Sequence, residues 1–273
     1  MVTKYLGERR KKMSNRIWQI ILAVSLIIVV VSGVNVFRLS REYQKGINEY
    51  EKLEQYVSLE ENQTADKQQD QSAQEEEQES KIPVSVDVKY DELKGINEDF
   101  VGWLYYEPLE ISYPIVRGND NDYYTEYTFE NEKNSSGAIF MDFLNRKDYS
   151  NFNTIIYGHN MRNGTMFGSL KKLLNDQEII EENPYFYIFT EDKAYMYEIF
   201  AVYITTADSK TYNLIETEQE QSEYLDFIDQ KATYRSDKEV TATDKIATLS
   251  TCHGLHSNNR TIVHGVLIAE EDR

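Results

Sequence analysis

The longest apolar run of the chain lies near its N-terminus, at residues 17–37, and contains no charged residue. Its length is what a helix needs to cross a hydrocarbon core of roughly 30 Å. A cluster of lysines and arginines precedes it within residues 1–16. Because such residues stay on the cytoplasmic side, we expect a single-pass protein of the cell membrane, with a cytoplasmic N-terminus and everything after residue 37 outside. A cleaved signal peptide is the alternative, disfavoured by the length of the run and the lack of an Ala-x-Ala-like cleavage site.

A weakly amphipathic segment and an acidic polar segment follow the apolar run. Apolar residues first recur at spacings of three and four, which predicts a short stalk helix. These residues are Tyr43, Ile47, Tyr50, Leu53 and Val57. Residues 61–80 contain no aromatic residue and only alanine among the apolar types, so they cannot offset the entropy lost on ordering. We therefore interpret residues 38–87 as an extracellular stalk and disordered acidic linker.

The pattern changes after the linker, where short apolar, β-branched and aromatic runs alternate with turn residues. Such runs predict β-strands. They lie at residues 98–106, 110–118, 135–143, 153–159, 184–190, 193–205, 245–252 and 260–268. Helical patterns lie at residues 90–97, 166–175 and 220–234. Many short strands and a few helices predict a mainly β domain over residues 88–273, with peripheral helices around a largely antiparallel closed sheet.

Charge and cysteine content exclude several classes of protein. The chain has 29 Lys and Arg against 47 Asp and Glu, a net charge of −18, which repels nucleic acid and argues against a nucleic-acid partner. It has one cysteine, Cys252, so no internal disulfide can hold the fold. The domain must therefore be held by its apolar core, and the thiol is a candidate for chemistry.

Candidate chemistry lies at the ends of three predicted strands. Cys252 ends one strand, and Arg260 begins the next after a turn-rich loop, so the two should face each other. A thiol with a pKa of about 8.5 needs a base or a nearby cation to become reactive. His159, which ends the strand at residues 153–159, can supply that base. Arg260 stays protonated and can donate hydrogen bonds to an oxyanion or a substrate carbonyl.

These motifs resemble those of class B sortases, the cysteine transpeptidases of Gram-positive bacteria. The resemblance rests on "TLSTC" with an arginine eight residues after the cysteine, and on "IIYGHNMRNGTMFGSLKKL" upstream. It extends over roughly residues 90–268 and includes "INEDFVGWL", "ISYPIV" and "GAIFMDFLN". It implies a closed β-barrel of about eight strands, a helix in the loop before the cysteine strand, and an uncleaved N-terminal anchor.

The resemblance also implies roles and partners. Cys252 matches the family nucleophile, His159 the histidine that acts as acid or base, and Arg260 the arginine that binds the oxyanion or orients the substrate. The implied reaction cleaves a Pro-x-Thr type sorting signal of a surface protein after threonine. The acyl group then passes to an amino group of a peptidoglycan precursor. The alternative within the family is polymerisation of a pilus, and neither reaction requires a metal or cofactor.

Two further interpretations of the cysteine region stay open at this point. Cys252, His253, His256 and His264 have short metal-like spacing and could bind zinc, although adjacent residues at a strand end tend to point apart. A membrane-tethered binding module with a tyrosine-rich surface is the other possibility. Because His264 lies within an apolar strand, we expect it to be a structural residue, and we expect His253 and His256 to be loop residues.

Overall fold

The computed structural model describes residues 15–61, 82–252 and 258–273. The chain divides into two compact units between Gln44 and Lys45. The acidic segment at residues 62–81, predicted to be a disordered linker, lies outside the described residues.

The N-terminal unit consists of a helix, α1 (Asn15–Leu53), whose last nine residues belong to the second unit. Among the described residues, one helix is long and apolar enough to cross a membrane, with a mean hydropathy of 2.8 over its most apolar window. Its apolar side chains are exposed, among them Leu22 and Val29, as an anchor in lipid requires. The predicted stalk helix is the C-terminal part of this same helix, since no proline interrupts residues 38–53, but the helix ends at Leu53 and Val57 begins a strand.

The second unit contains eleven strands and five further helices among the described residues. The strands are β1 (Val57–Glu61), β2 (Val84–Val88), β3 (Phe100–Tyr106), β4 (Ile111–Val116), β5 (Ile139–Met141), β6 (Asn153–Gly158), β7 (Tyr185–Phe189), β8 (Lys193–Thr206), β9 (Tyr234–Arg235), β10 (Ile246–Cys252) and β11 (Asn259–Asp272). The α-helices are α2 (Tyr90–Ile96), α3 (Tyr123–Glu126), α4 (Lys172–Asn175), α5 (Glu178–Glu182) and α6 (Glu218–Lys231). Short 3-10 turns lie at Glu54–Tyr56, Glu107–Leu109 and Lys210–Tyr212.

Eight of these strands form a closed barrel, which confirms the predicted fold class. Their order is β11-β10-β6-β5-β4-β3-β7-β8, and pairing of β8 with β11 closes the ring. The β6–β10 and β4–β5 pairs are parallel, and the others are antiparallel. Closure leaves the barrel without a free edge along its length. The parallel pairing of β6 with β10 also brings the ends of two chemically important strands to the same rim.

Large aromatic side chains fill the core, including Trp103, Tyr106, Phe186 and Phe200, all nearly inaccessible to solvent. The helix α6 lies before the cysteine strand, as the resemblance implies. It begins with a capping box formed by Thr217 and Glu220, which satisfies two backbone donors at its first turn. Its apolar side packs Tyr224 and Ile228 into a cluster with residues of β8 and β11.

The second unit begins earlier than the predicted start at residue 88. Glu49, Tyr50 and Leu53 of α1 are buried, and β1 pairs with β2 so that Val57 lies opposite Val88. Residues 45–61 and 82–87 therefore belong to this unit. The spacings of three and four indicated a helix correctly, but spacing alone could not show that its apolar side covers another part of the domain.

The helix predicted at residues 166–175 is much shorter than expected, because only α4 is regular. Met166 has a positive φ of 54°, and Gly164 one of 87°, and neither value fits a right-handed helix. The Phe167 amide instead donates to the carbonyl oxygen of His159 at 3.0 Å. This segment therefore folds back on the end of β6.

Candidate active site

The three residues predicted to act together lie at the ends of three neighbouring strands. Cys252 and Arg260 are paired across β10 and β11. In the parallel β6–β10 pair, Thr251 lies beside Gly158. Cys252 and His159 each follow one of these residues, so their positions lie side by side at the ends of the two strands. The backbone thus brings all three positions to one rim of the barrel, with position 252 in the middle.

Close packing and two hydrogen bonds fix His159. A Cβ atom built on the preceding Gly158 would lie 2.5 Å from Ile139 Cδ1 and 2.8 Å from the Phe167 ring, so only glycine fits there. The His159 carbonyl accepts the Phe167 amide, as described above, and the ring Nδ1 lies 3.0 Å from the Ser135 carbonyl oxygen. Because a carbonyl can only accept, Nδ1 carries the proton and Nε2 is the free basic nitrogen.

The surroundings of His159 favour the neutral form of its imidazole ring. Its burial lowers the pKa of the imidazole below the ordinary value of 6.5, because desolvation penalises the charged form. The hydrogen bond to the Ser135 carbonyl opposes this effect in part. A neutral ring with a free Nε2 can accept a proton and later return it.

A cavity of about 570 Å³ lies at this rim, and both His159 and Arg260 line it. Arg260 is half-buried, and one of its guanidinium nitrogens donates to the Asn259 carbonyl at 3.1 Å. The other lining residues are Asn121, Asp122, Thr125, Phe140, Asp142, Leu144, Tyr157, Gly158, Ala207, Tyr212 and Ser250. The cavity therefore combines a cation, aromatic rings and several groups that form hydrogen bonds, which suits a peptide.

Hydrogen bonds orient the polar groups of the cavity. The Asp142 carboxylate accepts from the Tyr157 hydroxyl at 2.8 Å and from the Asn121 amide at 3.0 Å. Burial, and secondly the Asp142 charge, raise the pKa of Tyr157, so its hydroxyl stays protonated. The Tyr212 and Ser250 hydroxyls are 2.8 Å apart, and the Tyr212 ring stacks on the Tyr157 ring with centroids 6.0 Å apart.

Sequence reasoning did not identify these lining residues, although one signal was present for two of them. Side chains two positions apart in a strand share a face. Tyr157 stands two positions before His159, and Ser250 two positions before Cys252. This alternation would have predicted Tyr157 and Ser250 as residues that line the site. Asn121, Asp142 and Tyr212 come from distant loops and strand ends, where no periodic pattern marks them.

The structure places His264 in the core, as expected of a structural histidine. It is fully buried, with the Tyr203 hydroxyl 2.9 Å from Nε2 and the Thr248 hydroxyl 2.8 Å from Nδ1. Burial lowers the pKa of His264 to about 3, so the ring is neutral. Both ring nitrogens have partners, which removes His264 from the alternative set of zinc ligands. His253, His256 and the side chain of Cys252 lie outside the described residues, and the described part of the chain contains no other cluster suited to a metal.

Comparison with known proteins agrees with this fold. Residues 104–268 match the family model for the sortase domain. A Listeria monocytogenes protein named sortase B is 40% identical over 185 residues, which cover 66% of this chain and 74% of that protein. Sortase B of Staphylococcus aureus is 30% identical over 243 residues, which cover 89% of this chain and 92% of that protein.

Solved structures show the same similarity in three dimensions. A crystal structure of sortase B from Bacillus anthracis in complex with AAEK1 matches with a TM-score of 0.67 and 32% identity, covering 84% of this chain and 98% of that one. A Staphylococcus aureus sortase B–substrate complex matches with a TM-score of 0.61 and 34% identity, covering 66% and 77%.

Proposed function

The chain belongs to the sortase family, in its class B, and is a cysteine transpeptidase; from this premise we propose that Cys252, His159 and Arg260 carry the reaction. The observation that most strongly supports this assignment is the strand register. It sets position 252 between the Arg260 strand and the His159 strand, at a cavity that both partners line. Nucleophile, base and oxyanion donor are the three functions that acyl transfer from a peptide requires.

In the first half of the proposed reaction, the Cys252 sulfur attacks the carbonyl carbon of the threonine in a sorting signal. His159 Nε2 takes the thiol proton, because Nδ1 already carries a proton, which it donates to the Ser135 carbonyl oxygen. The guanidinium of Arg260 stabilises the negative charge that forms on the carbonyl oxygen. When the C–N bond breaks, the imidazolium gives its proton to the leaving amine, and the threonine remains as a thioester.

In the second half, an amino group of a peptidoglycan precursor attacks the thioester. His159 accepts a proton from that amine, the C–S bond breaks, and the imidazolium returns the proton to the released sulfur. The product is a surface protein joined to the precursor through a new amide bond. Atoms and electrons balance without a metal, a cofactor or a redox partner.

The substrate we propose is a Pro-x-Thr type sorting signal, of the Asn-Pro-x-Thr-Asn kind associated with class B sortases. The Tyr157 and Tyr212 rings can contact the apolar proline, and Asn121 can hydrogen-bond the peptide. The open cavity at the rim accommodates an extended peptide. The similarity to a sortase B–substrate complex from Staphylococcus aureus supports the same class of ligand.

We also propose that the protein works at the cell membrane, anchored by α1, with its N-terminus in the cytoplasm and its barrel outside. The apolar helix and the basic residues before it support this arrangement. Surface proteins and the peptidoglycan precursor would both meet the enzyme on that side.

A peptide library tests the proposed substrate directly. The full chain in detergent micelles is offered quenched-fluorophore pentapeptides that vary the residues around Pro-x-Thr, with an added amine as acceptor. We expect cleavage after threonine and a new amide to the amine, with no product when Thr is replaced by Ala in the peptide. Equal cleavage of peptides that lack Pro and Thr would contradict the assignment of a sorting signal.

A further inference from the structure

Two separate contacts support the segment that carries His159. The groups that make them are each contacted, directly or through their loop, by Tyr50 of helix α1. The first support is the Ser135 carbonyl, which accepts the proton of His159 Nδ1 at 3.0 Å. It belongs to residues 128–137, which we call the 128–137 loop. The second support is Tyr113, whose hydroxyl accepts the Met166 amide at 3.1 Å. Met166 in turn forms an isolated bridge with Asn160, the residue after His159.

Tyr50, in the last turn of α1, contacts the 128–137 loop that carries the first support, and it contacts Tyr113 itself. Its hydroxyl donates to the Gly137 carbonyl at 2.7 Å, two residues beyond Ser135, and lies 3.3 Å from the Phe129 amide. Its ring meets the Tyr113 ring edge-on, with centroids 5.4 Å apart. Tyr50 is 8% exposed, so these contacts are made away from water.

Neighbouring residues of the same helix fix the 128–137 loop as well. The Glu49 carboxylate accepts the Glu130 amide at 2.9 Å. Gly46 lies so close to the loop that a Cβ atom there would be 2.5 Å from Ser136 Oγ and 3.1 Å from Asn134 Oδ1. The helix surface at residues 46–50 is therefore fitted to the loop that carries Ser135.

We propose that Tyr50 is a positioning residue for catalysis, which acts by holding the 128–137 loop and Tyr113 so that His159 keeps its proton on Nδ1 and its Nε2 free. This inference rests on the proposed role of His159. Tyr50 touches neither substrate nor the reacting atoms, and its effect passes through Ser135 and Met166. The geometry thus makes the end of the membrane-anchor helix part of the support of the active site.

The state of the His159 ring provides a direct readout. A neutral imidazole without a fixed partner favours the tautomer with the proton on Nε2, whereas the Ser135 carbonyl selects Nδ1. The full chain, labelled with ¹⁵N-histidine and carrying Cys252→Ala to remove coupling to the thiol, is studied in micelles at about pH 8. The His159 resonances are assigned by their loss in a His159→Gln variant. We expect the Nδ1–H pattern in this protein and a shift toward Nε2–H when Tyr50→Phe is added.

Matched variants separate positioning from a general loss of stability. Tyr106 is also buried, and its hydroxyl also donates to a backbone carbonyl, that of Asn183 at 3.0 Å. Tyr106→Phe therefore removes a comparable tyrosine–carbonyl hydrogen bond, whose acceptor Asn183 belongs to neither support. Gly46→Leu should displace the helix from the loop, whereas Gly95→Leu is its control, because nothing lies within 4 Å of a Cβ at Gly95.

Kinetics of the same variants with Cys252 intact complete the test. We expect Tyr50→Phe and Gly46→Leu to lower kcat about 10-fold with little change in KM, since misplacing a catalytic group lowers the chemical rate. Tyr106→Phe and Gly95→Leu should keep both kcat and the Nδ1–H pattern. In a protein that already carries His159→Ala, adding Tyr50→Phe should not lower kcat any further.

The outcomes distinguish this inference from the proposed function. If His159→Ala lowers activity but Tyr50→Phe leaves the tautomer and kcat unchanged, the positioning role of Tyr50 is overturned and the proposed reaction stands. If Tyr50→Phe and Tyr106→Phe lower kcat equally, the effect is one of stability and the inference again fails. Full activity of His159→Ala would instead overturn the proposed role of the histidine.

Discussion

Cys252 and Arg260 are cross-strand partners at the end of the β10–β11 ladder. A strand pair fixes the separation of its Cα atoms at roughly 4.5–5.5 Å. The backbone therefore holds the guanidinium-bearing residue beside the proposed nucleophile. An oxyanion donor works best when it is fixed in this way before the reaction begins.

We expect Arg260→Ala to lower kcat by about 10²-fold or more, on the scale of a lost oxyanion donor. Arg260→Lys should recover only part of the rate, because an ammonium cannot reproduce the planar fork of a guanidinium. Steady-state kinetics with a sorting-signal peptide measure both. The proposed role is contradicted if Arg260→Ala changes KM alone, since that result would indicate ground-state binding.

The packing around Gly158 predicts a second effect of substitution. The extra methyl of Gly158→Ala would collide with Ile139 and Phe167, and overpacking of this kind costs about 1–3 kcal/mol of unfolding free energy. Because His159 is the next residue, activity should fall as well. Chemical unfolding of the full chain in micelles measures the first effect, and peptide cleavage the second.

Gly95→Ala is the control for that substitution. Gly95 lies in α2 with open space around its Cβ position. Alanine is the better helix former by up to about 1 kcal/mol, so this variant should be neutral or slightly stabilised. Equal behaviour of the two alanine variants would contradict the account of Gly158.

The pKa of His159 should be lower than the ordinary histidine value of 6.5, because burial disfavours the imidazolium. An NMR titration of the Cys252→Ala protein measures it without coupling to the thiol. A lowered pKa means that the His159 ring is neutral at pH 7 and gains its proton only when the pH falls below the ordinary histidine range. His264 provides an internal reference, since its pKa is lowered to about 3 and it should stay neutral down to about pH 4. A His159 pKa above 6.5 would show that a neighbouring negative charge outweighs desolvation.

The proposed membrane orientation can be tested with the sole cysteine of the chain. On intact cells, a membrane-impermeant maleimide should label Cys252 if the barrel lies outside. In a Cys252→Ala protein that carries Thr3→Cys, the new thiol should be protected until the cells are opened. Labelling of position 3 and protection of position 252 on intact cells would reverse the orientation.

The sequence predicted the barrel and the three proposed reactive residues because each depends on local pattern. Alternating apolar runs mark strands, and strand ends followed by polar loops mark places for Cys252, His159 and Arg260. The supports of the site depend instead on distant contacts. Tyr50 and Gly137 are 87 positions apart, and Ser135 contributes only its carbonyl, which every residue has. No pattern of side chains along the chain can mark such a contact.

The regular helix predicted at residues 166–175 shows the opposite problem, because there the local pattern misled. Met166, Leu170 and Leu173 have helical spacing and are all buried, yet only Leu173 lies in a regular helix, and residues 167–171 form turns. Tertiary contacts override the spacing: the Met166 amide is bound by Tyr113, and the Phe167 amide by His159. The same contacts that break the helix hold the proposed histidine in place.

The proposed reaction requires Cys252 to carry the peptide as a thioester. The full chain is mixed with a Pro-x-Thr peptide without an acceptor amine, quenched in acid and digested for mass spectrometry. We expect the peptide up to and including threonine to be attached to the fragment containing Cys252, hydroxylamine to release it, and Cys252→Ala to form no adduct. Cleavage at an undiminished rate by Cys252→Ala, or an acyl group on any other residue, would contradict it.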